Sequence, residues 1–232
     1  MEHSIGYNGR YSNTVLYHPT QPDTLIYNNG GLLVIESLHD KHKQEFLRGH
    51  DMEISCITVS NNGRLMASGQ LGTQFQRTAE APVILWNYET RKPIAVLKGM
   101  MECVEQLAFS PDDRYLAGVG RNNTFVIWDT QDGTPIHTRI TEQIFTMLAW
   151  GDILTDANPK HPTYTLIQGN RQQIFINKLE FDISSMQYLL KQSTCQLPNT
   201  GLQRDYTFTR ARGDLLLAGT QSGEVCVFSI NS

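Results

Sequence analysis

The chain has 232 residues, enough for one large all-β domain or two small ones, and its 40% apolar and 9% aromatic content argues for a packed core rather than disorder. Nineteen basic against 23 acidic residues give a formal net charge of −4, without the basic footprint of a general nucleic-acid binder. No apolar run approaches the roughly 20 residues of a membrane helix, and the start, "MEHSIGYNGRYSN", has no leader-peptide pattern.

Along the chain the apolar runs are short, closed by turn residues every few positions, and lack a 3.6-residue period, which excludes a helical fold. "NTVLYHP", "TLIYNN", "LLVIES" and "QEFLR" read as four successive strands over residues 13–48. "CITVS", "RLMAS", "VILWN" and "IAVLK" repeat that order over 49–98, with Asn61-Asn62-Gly63 as the first turn. "QLAFS", "RYLAG", "FVIWD" and "PIHTR" repeat it again over 99–140, with the turn Pro111-Asp112-Asp113. A diverged copy spans 141–198 ("FTMLAW", "YTLIQ", "QIFINK"), where 180–191, "EFDISSMQYLLK", fits a short helix or an outer strand equally well. The last copy, 199–232, stops after its third strand, "EVCVFS". Trp86 and Trp128 stand about 42 residues apart, within the ~40–45-residue period of four-stranded propeller blades. The expected fold is all-β, a propeller of about five blades. Because the fifth blade lacks a fourth strand, the chain is expected to be a piece of a larger propeller, with ring closure by the N-terminal strand or a second copy as the alternative. Leu107, Phe109, Leu116, Val126, Ile127 and Trp128 are expected in the core.

Within this repeat Gly49-His50 opens one blade and Trp128-Asp129 closes the third strand of the next, and these pairs resemble the WD40 family. The resemblance implies that His50, Ser68 and Trp86 share a buried hydrogen-bond network. The family's turn Asp has no counterpart there, because residues 70–81 replace a tight turn and contain only Glu80 as an acid. In the third blade Gly99 keeps its place, but Met100 stands where the His would be. The order of "IGYNG", "FLRGH", "MASGQ" with its long insertion, "VILWNY" and "LAFSPDDRYL", over residues 5 to about 130, resembles the ciliary and flagellar WD-repeat proteins that line doublet microtubules. The "ASGQ" with its long loop is also similar to echinoderm-microtubule-associated-protein-like propellers. These resemblances imply a non-enzymatic scaffold in the axoneme, with tubulin and other axonemal proteins as partners and no cofactor, nucleic acid, membrane or small-molecule substrate. The alternative is a general cytoplasmic WD40 adaptor.

Two loops exceed the two to five residues of an ordinary tight turn: 70–81, "QLGTQFQRTAEA", and 151–163, "GDILTDANPKHPT". The zigzag of four strands is expected to place 70–81 on the face of 48–53, 99–103, 120–123 and 192–204, and 151–163 on the other face with 88–92 and 130–133. Phe75, Arg77 and Glu80 read as a partner contact or as part of a tolerated surface insertion. Acidic tubulin surfaces would favour locally basic loops, for which Arg77, Arg121 and the pair Arg91-Lys92 are the candidates. His39 and His42 have metal-like spacing but no third ligand nearby and read as a solvated turn. Ser110 precedes a turn and lacks a positioned His, so it is not a nucleophile candidate. Cys56, Cys103, Cys195 and Cys226 form no C-x-x-C pair, so neither a zinc site nor a disulfide framework is expected, and a reducing, intracellular setting is. Asn122-Asn123-Thr124 matches a glycosylation sequon and reads as a turn. No P-loop, G-x-S-x-G or H-E-x-x-H occurs, which argues against an enzyme.

Overall fold

The structure, a computed structural model, describes residues 3–40, 42–72, 80–155, 160–195 and 204–230. The chain divides into two compact units, Met1–Thr141 and Glu142–Ser232. All regular structure among the described residues is antiparallel sheet.

The first unit holds three four-stranded blades, each with its strands in sequence order. They are β1 to β4 (Val15–His18, Gln21–Asn29, Leu32–Ser37, Gln44–Leu47), β5 to β8 (Ile54–Val59, Leu65–Gln70, Val83–Asn87, Pro93–Leu97) and β9 to β12 (Val104–Phe109, Tyr115–Gly120, Thr124–Asp129, Pro135–Ile140). Successive side chains of a strand point to opposite faces, and both faces of the middle strands are covered here, so "LMASGQ" and "YLAGVG" are almost wholly buried. Ile26, Leu33, Ile35 and Leu47 of the first blade pack on Ile57, Met66, Ile84 and Trp86 of the second. The opposite face of the second blade sends Cys56, Ala67, Val83, Leu85 and Leu97 against Leu107, Phe109, Leu116, Val126 and Trp128 of the third. Each such Leu, Ile or Val contributes about 1.5–3 kcal/mol by leaving water, so the two seams dominate the stability of this unit.

Polar turns reinforce the seams at the connections between first and second strands. Ser60 and Ser110 each accept a backbone N–H across their own turn, from Leu65 and Tyr115, both at 2.9 Å. Asp113 sits at φ 61, a conformation Asp tolerates better than most residues. From there its carboxylate accepts the backbone N–H groups of Asn61 (2.6 Å) and Asn62 (2.8 Å) and the side-chain amide of Asn61 (2.8 Å). The first and second blades are linked likewise by His18 Nε2, 2.9 Å from the carbonyl of Gly63. A Cβ on Gly63 would fall 2.4 Å from the His18 ring, and its φ of +74 also favours glycine.

The second unit holds one four-stranded blade, β13 to β16 (Met147–Leu154, Thr163–Gly169, Ile174–Asp182, Gln187–Thr194), and a three-stranded sheet, β17 to β19 (Tyr206–Arg212, Leu215–Thr220, Val225–Ser229). Met147, Ile167, Ile174 and Ile176 of the blade pack on Tyr206, Leu216, Ala218 and Phe228 of the three-stranded sheet. Two sequence expectations change here. Residues 151–154 extend β13 through an irregularity between Trp150 and Ile153 rather than opening the loop 151–163, of which 156–159 lie outside the described residues. The stretch 180–191 is neither wholly helix nor wholly strand: β15 ends at Asp182, Ile183–Met186 turn, and β16 begins at Gln187. The carboxylate of Asp182 makes that turn by accepting the N–H of Ser184 and the hydroxyls of Ser184 and Ser185, which lowers its pKa to about 2.

Candidate protein-interaction surface

The face of the first unit that carries the long insertion is built on a buried polar chain in the second blade. The indole N–H of Trp86 donates to Ser68 Oγ at 2.7 Å, and the Ser68 hydroxyl donates to His50 Nε2 at 2.6 Å. That direction leaves Nδ1 as the protonated ring nitrogen, which donates to Gln70 Oε1 at 2.7 Å. The Gln70 amide then donates to Asp51 Oδ1 at 2.6 Å and to the carbonyl of Leu71 at 3.1 Å. Gln70 thus stands where a turn Asp would end the chain, and it passes the connection to Asp51. Burial lowers the pKa of His50, outweighing the opposite pull of Gln70 and Asp51, so the neutral imidazole is the stable form. Gly49 leaves room for this arrangement: a Cβ there would lie 3.0 Å from both Ile84 and Trp86.

The third blade solves the same packing problem without the polar chain. Met100 is fully buried where His50 has its counterpart, Gly118 replaces Ser68, and the Trp128 indole donates to the carbonyl of Lys98 at 2.9 Å. A Cβ on Gly118 would meet Trp128 at 2.9 Å and Leu107 at 3.0 Å, so the absence of a side chain lets the indole approach the strand closely. Asp129 is half-buried and holds the following turn by accepting the N–H of Gln131 at 2.9 Å.

The ends of the insertion are fastened to the 100–103 segment. Leu71 bridges Cys103 and Glu80 bridges Met101, while Gly72 N–H donates to Glu102 (2.6 Å) and Ala81 N–H to Met100 (2.9 Å). The N–H of Arg121 donates to the carbonyl of Cys103 at 3.0 Å, bringing 120–123 to the same place. Glu80 is exposed at this stem; Phe75 and Arg77 lie outside the described residues. Arg121 is exposed and paired with Glu105, its Nη2 2.6 Å from the carboxylate. At the β7–β8 turn Arg91 pairs with Glu45 of the first blade and lies 4.1 Å over the Tyr88 ring, whereas Lys92 beside it is exposed. The structure therefore gathers Glu80 and Arg121 about one segment and leaves Arg91 and Lys92 at a different turn.

His39 pairs with Asp23 at 3.1 Å, and His42 Nδ1 lies 3.5 Å from His3 Nε2, all on exposed side chains. No group of three or more His, Cys, Asp or Glu among the described residues is placed to hold a metal ion. Ser110 is fully buried, and its hydroxyl donates to Asp112 at 2.7 Å as part of its turn. Cys56 and Cys103 are buried beside the seam of the second and third blades, and burial raises both thiol pKa values, that of Cys103 to about 11. Gln70, Asp51, Asp113 and His18 carry structural roles that sequence reading missed. Only Asp113 had a visible cue, in the alignment of "SPDDR" with "SNNGR".

The WD40 family model (WD domain, G-beta repeat) matches residues 41–73 and 91–129. Each match starts near the outer strand of one blade and runs into the next, joining β4 to β5 and β6, and β8 to β9, β10 and β11. The chain is 37% identical over 134 residues to Cilia- and flagella-associated protein 52 of Chlamydomonas reinhardtii, covering 57% of this chain and 21% of that protein. It is 36% identical over 126 residues to the Homo sapiens protein of that name, covering 53% of this chain and 20% of the relative. It is also 26% identical over 200 residues to Elongator complex protein 2 of Rattus norvegicus, covering 79% of this chain and 23% of that protein. The chain thus spans about a fifth of the length of the curated relatives it matches. The chain thus carries WD40 repeats, matched by sequence over residues 41–73 and 91–129 and set in four-stranded antiparallel blades.

Proposed function

We propose that this protein is a non-enzymatic scaffold of the ciliary or flagellar axoneme, contacting tubulin and neighbouring axonemal proteins through loops on rigid blades. The 37% identity over 134 residues to a cilia- and flagella-associated protein carries this reading. The loop 70–81 is the proposed anchor, with Phe75 as its apolar group and Arg77 and Glu80 beside it, because its stem is fastened on both sides to the 100–103 segment. A fixed stem lowers the entropy lost when a loop is immobilised on a partner. Lys92 and Arg121 are the proposed electrostatic contributors, each giving ~0–1 kcal/mol at an exposed site, so affinity rests on several contacts acting together. Arg91 and Arg121 bring less net positive potential than their number suggests, since Glu45 and Glu105 neutralise them locally.

Deleting 73–79 keeps the stem bonds at Leu71, Gly72, Glu80 and Ala81. The expected result is an unchanged thermal midpoint with weakened microtubule co-sedimentation and weakened enrichment of a tagged copy in axonemes. Equal binding by the deletion variant removes the loop from the contact. A parent chain that neither sediments with microtubules nor enters cilia overturns the axonemal reading. In that case the likeness to Elongator complex protein 2 over 79% of the chain favours an adaptor in another cytoplasmic assembly.

A further inference from the structure

We infer that the outer rim of the second blade is a docking site for an extended, acidic-ended segment of another protein, which adds to the free edge of β8 as a fifth strand. The two faces of β8 differ. Ala95 and Leu97 point into the seam with the third blade, where Leu97 is 1% exposed and a Cβ on Gly133 would fall 2.9 Å from Leu97 and 3.2 Å from Ala95. Ile94 and Val96 point the other way, toward the first blade, yet they are 47% and 55% exposed. Val96 pairs with Ile84, which is only 4% exposed because it lies in the core between the first two blades. Beyond Ile84 the outer strands of these blades therefore part and leave two β-branched side chains in water. In the third blade Thr138, opposite Val126, takes the place of Val96, so a polar side chain suffices there for the fold.

The edge and its charges decide what fits. Among the described residues β8 pairs only with β7, so one side of its backbone has no strand beside it. Exposed cations flank the apolar pair: Lys92 before it, Lys98 after it, and Arg48 next to Gly49, whose Cβ would lie 3.0 Å from Ile84. Residues 44–50 and 88–98 together hold four cations, Arg48, Arg91, Lys92 and Lys98, against two acids, Glu45 and Glu89, and Glu45 is paired with Arg91. The same charges disfavour a second copy of this edge. Antiparallel pairing about Ala95 sets Lys92 opposite Lys98 twice, and parallel pairing sets each lysine beside itself. A strand with apolar residues at alternate positions and Asp or Glu at its ends covers Ile94 and Val96 and meets the cations with opposite charge. Pro93 has no N–H, so pairing begins at Ile94. The site shares Lys92 with the axonemal contacts proposed above and does not depend on that reading.

The test uses the full chain and a displayed library of random peptides of about nine residues, long enough to span β8 and both lysines. Peptides recovered on the parent chain are expected to alternate apolar residues between flanking Asp or Glu. Their binding should weaken at least about tenfold in Ile94→Thr/Val96→Thr and in Arg48→Glu/Lys98→Glu, and it should fall with added salt. The substituted side chains are exposed, so the thermal midpoint of each variant should stay within about 2 °C of the parent. A bound peptide should also slow hydrogen exchange at amides within 94–98 at least about tenfold, which contact through side chains alone would not do. A library that yields no peptide, or only peptides without acidic flanks, overturns the proposal. Binding that is as tight to either variant as to the parent, or that leaves exchange at 94–98 unchanged, does the same. So does a parent chain that dimerises and is made monomeric by Ile94→Thr/Val96→Thr, because a second copy then occupies the edge.

Discussion

The carboxylate of Asp113 lies 2.6 Å from the backbone N–H of Asn61 in the neighbouring blade, and its second oxygen lies 2.8 Å from the N–H of Asn62. One buried side chain thus satisfies a turn that belongs to a different repeat. The apolar seam sets how the two blades approach, and the turn-to-turn bonds fix their rotation at one end.

Asp113→Ala is expected to destabilise the protein by about 2–4 kcal/mol, because bonds to a charged acceptor are lost and two backbone N–H groups lose their partner. Asp113→Asn keeps the tolerated backbone conformation and part of the bonding, and should cost about half as much. Urea unfolding of the three proteins checks the order. A cost for Asp113→Ala within 0.5 kcal/mol of zero, roughly what a neutral surface substitution shows, removes the proposed role of this carboxylate.

His50 gives the second blade a pH dependence of definite sign. Its folded-state pKa lies below the ordinary value of 6.5, so the unfolded chain takes up a proton more readily. The stabilisation is fully present above the unfolded pKa, about 6.5, and is lost as the pH falls through the lower folded value. The urea midpoint should drop from pH 7.5 toward pH 5, and the drop should be shallower in His50→Gln by the His50 share. Parallel pH profiles for the two proteins would show that other groups account for the whole effect.

Met100 is fully buried where His50 begins the polar chain of the second blade, and introducing one residue of that chain here should be harmful. Met100→His would bury an imidazole with no hydroxyl at Gly118 to receive it, at a cost of about 2–4 kcal/mol. Adding Gly118→Ser should not rescue the variant, since the new Cβ would press on Trp128 and Leu107. Thermal unfolding of the single and double variants decides the point; recovery in the double variant would contradict it.

Arg91 combines an ion pair with Glu45 and a stacking contact on Tyr88, whose hydroxyl donates to Gln21 of the first blade at 2.7 Å. Arg91→Ala should cost about 1–2 kcal/mol, above what an exposed ion pair alone supplies. Glu45→Gln removes only the charge pairing and should cost less than about 1 kcal/mol. Equal losses would assign the whole effect to the ion pair.

The blades were legible in the sequence because turns and apolar runs recur in the same order, and most strands fall where that pattern places them. The turn at 183–186 was not, since no glycine or proline marks it. Asp182 and two serines make it instead, and Met186 adopts φ 54. Gln70 escaped notice for a different reason. An amide at a strand end carries no signature of a network, and only the fold brings His50 to one side of it and Asp51 to the other. Asp113 acts on residues about fifty positions earlier, a distance that local pattern cannot span. The departures at Met100 and Gly118 were half visible: the missing His was read, but the indole's new acceptor is a backbone carbonyl, which every residue possesses.

The four thiols divide between the two units, Cys56 and Cys103 in one, Cys195 and Cys226 in the other. Cys56 is wholly enclosed and its proton is held tightly, so a thiol reagent reaches it only when the blades around it part. Cys195 and Cys226 are partly open to solvent. The rate of alkylation at each position is therefore a clock for a different opening event. Under mild denaturant the two inner thiols keep the time of seam separation in the first unit, and the two outer ones that of local fraying in the second.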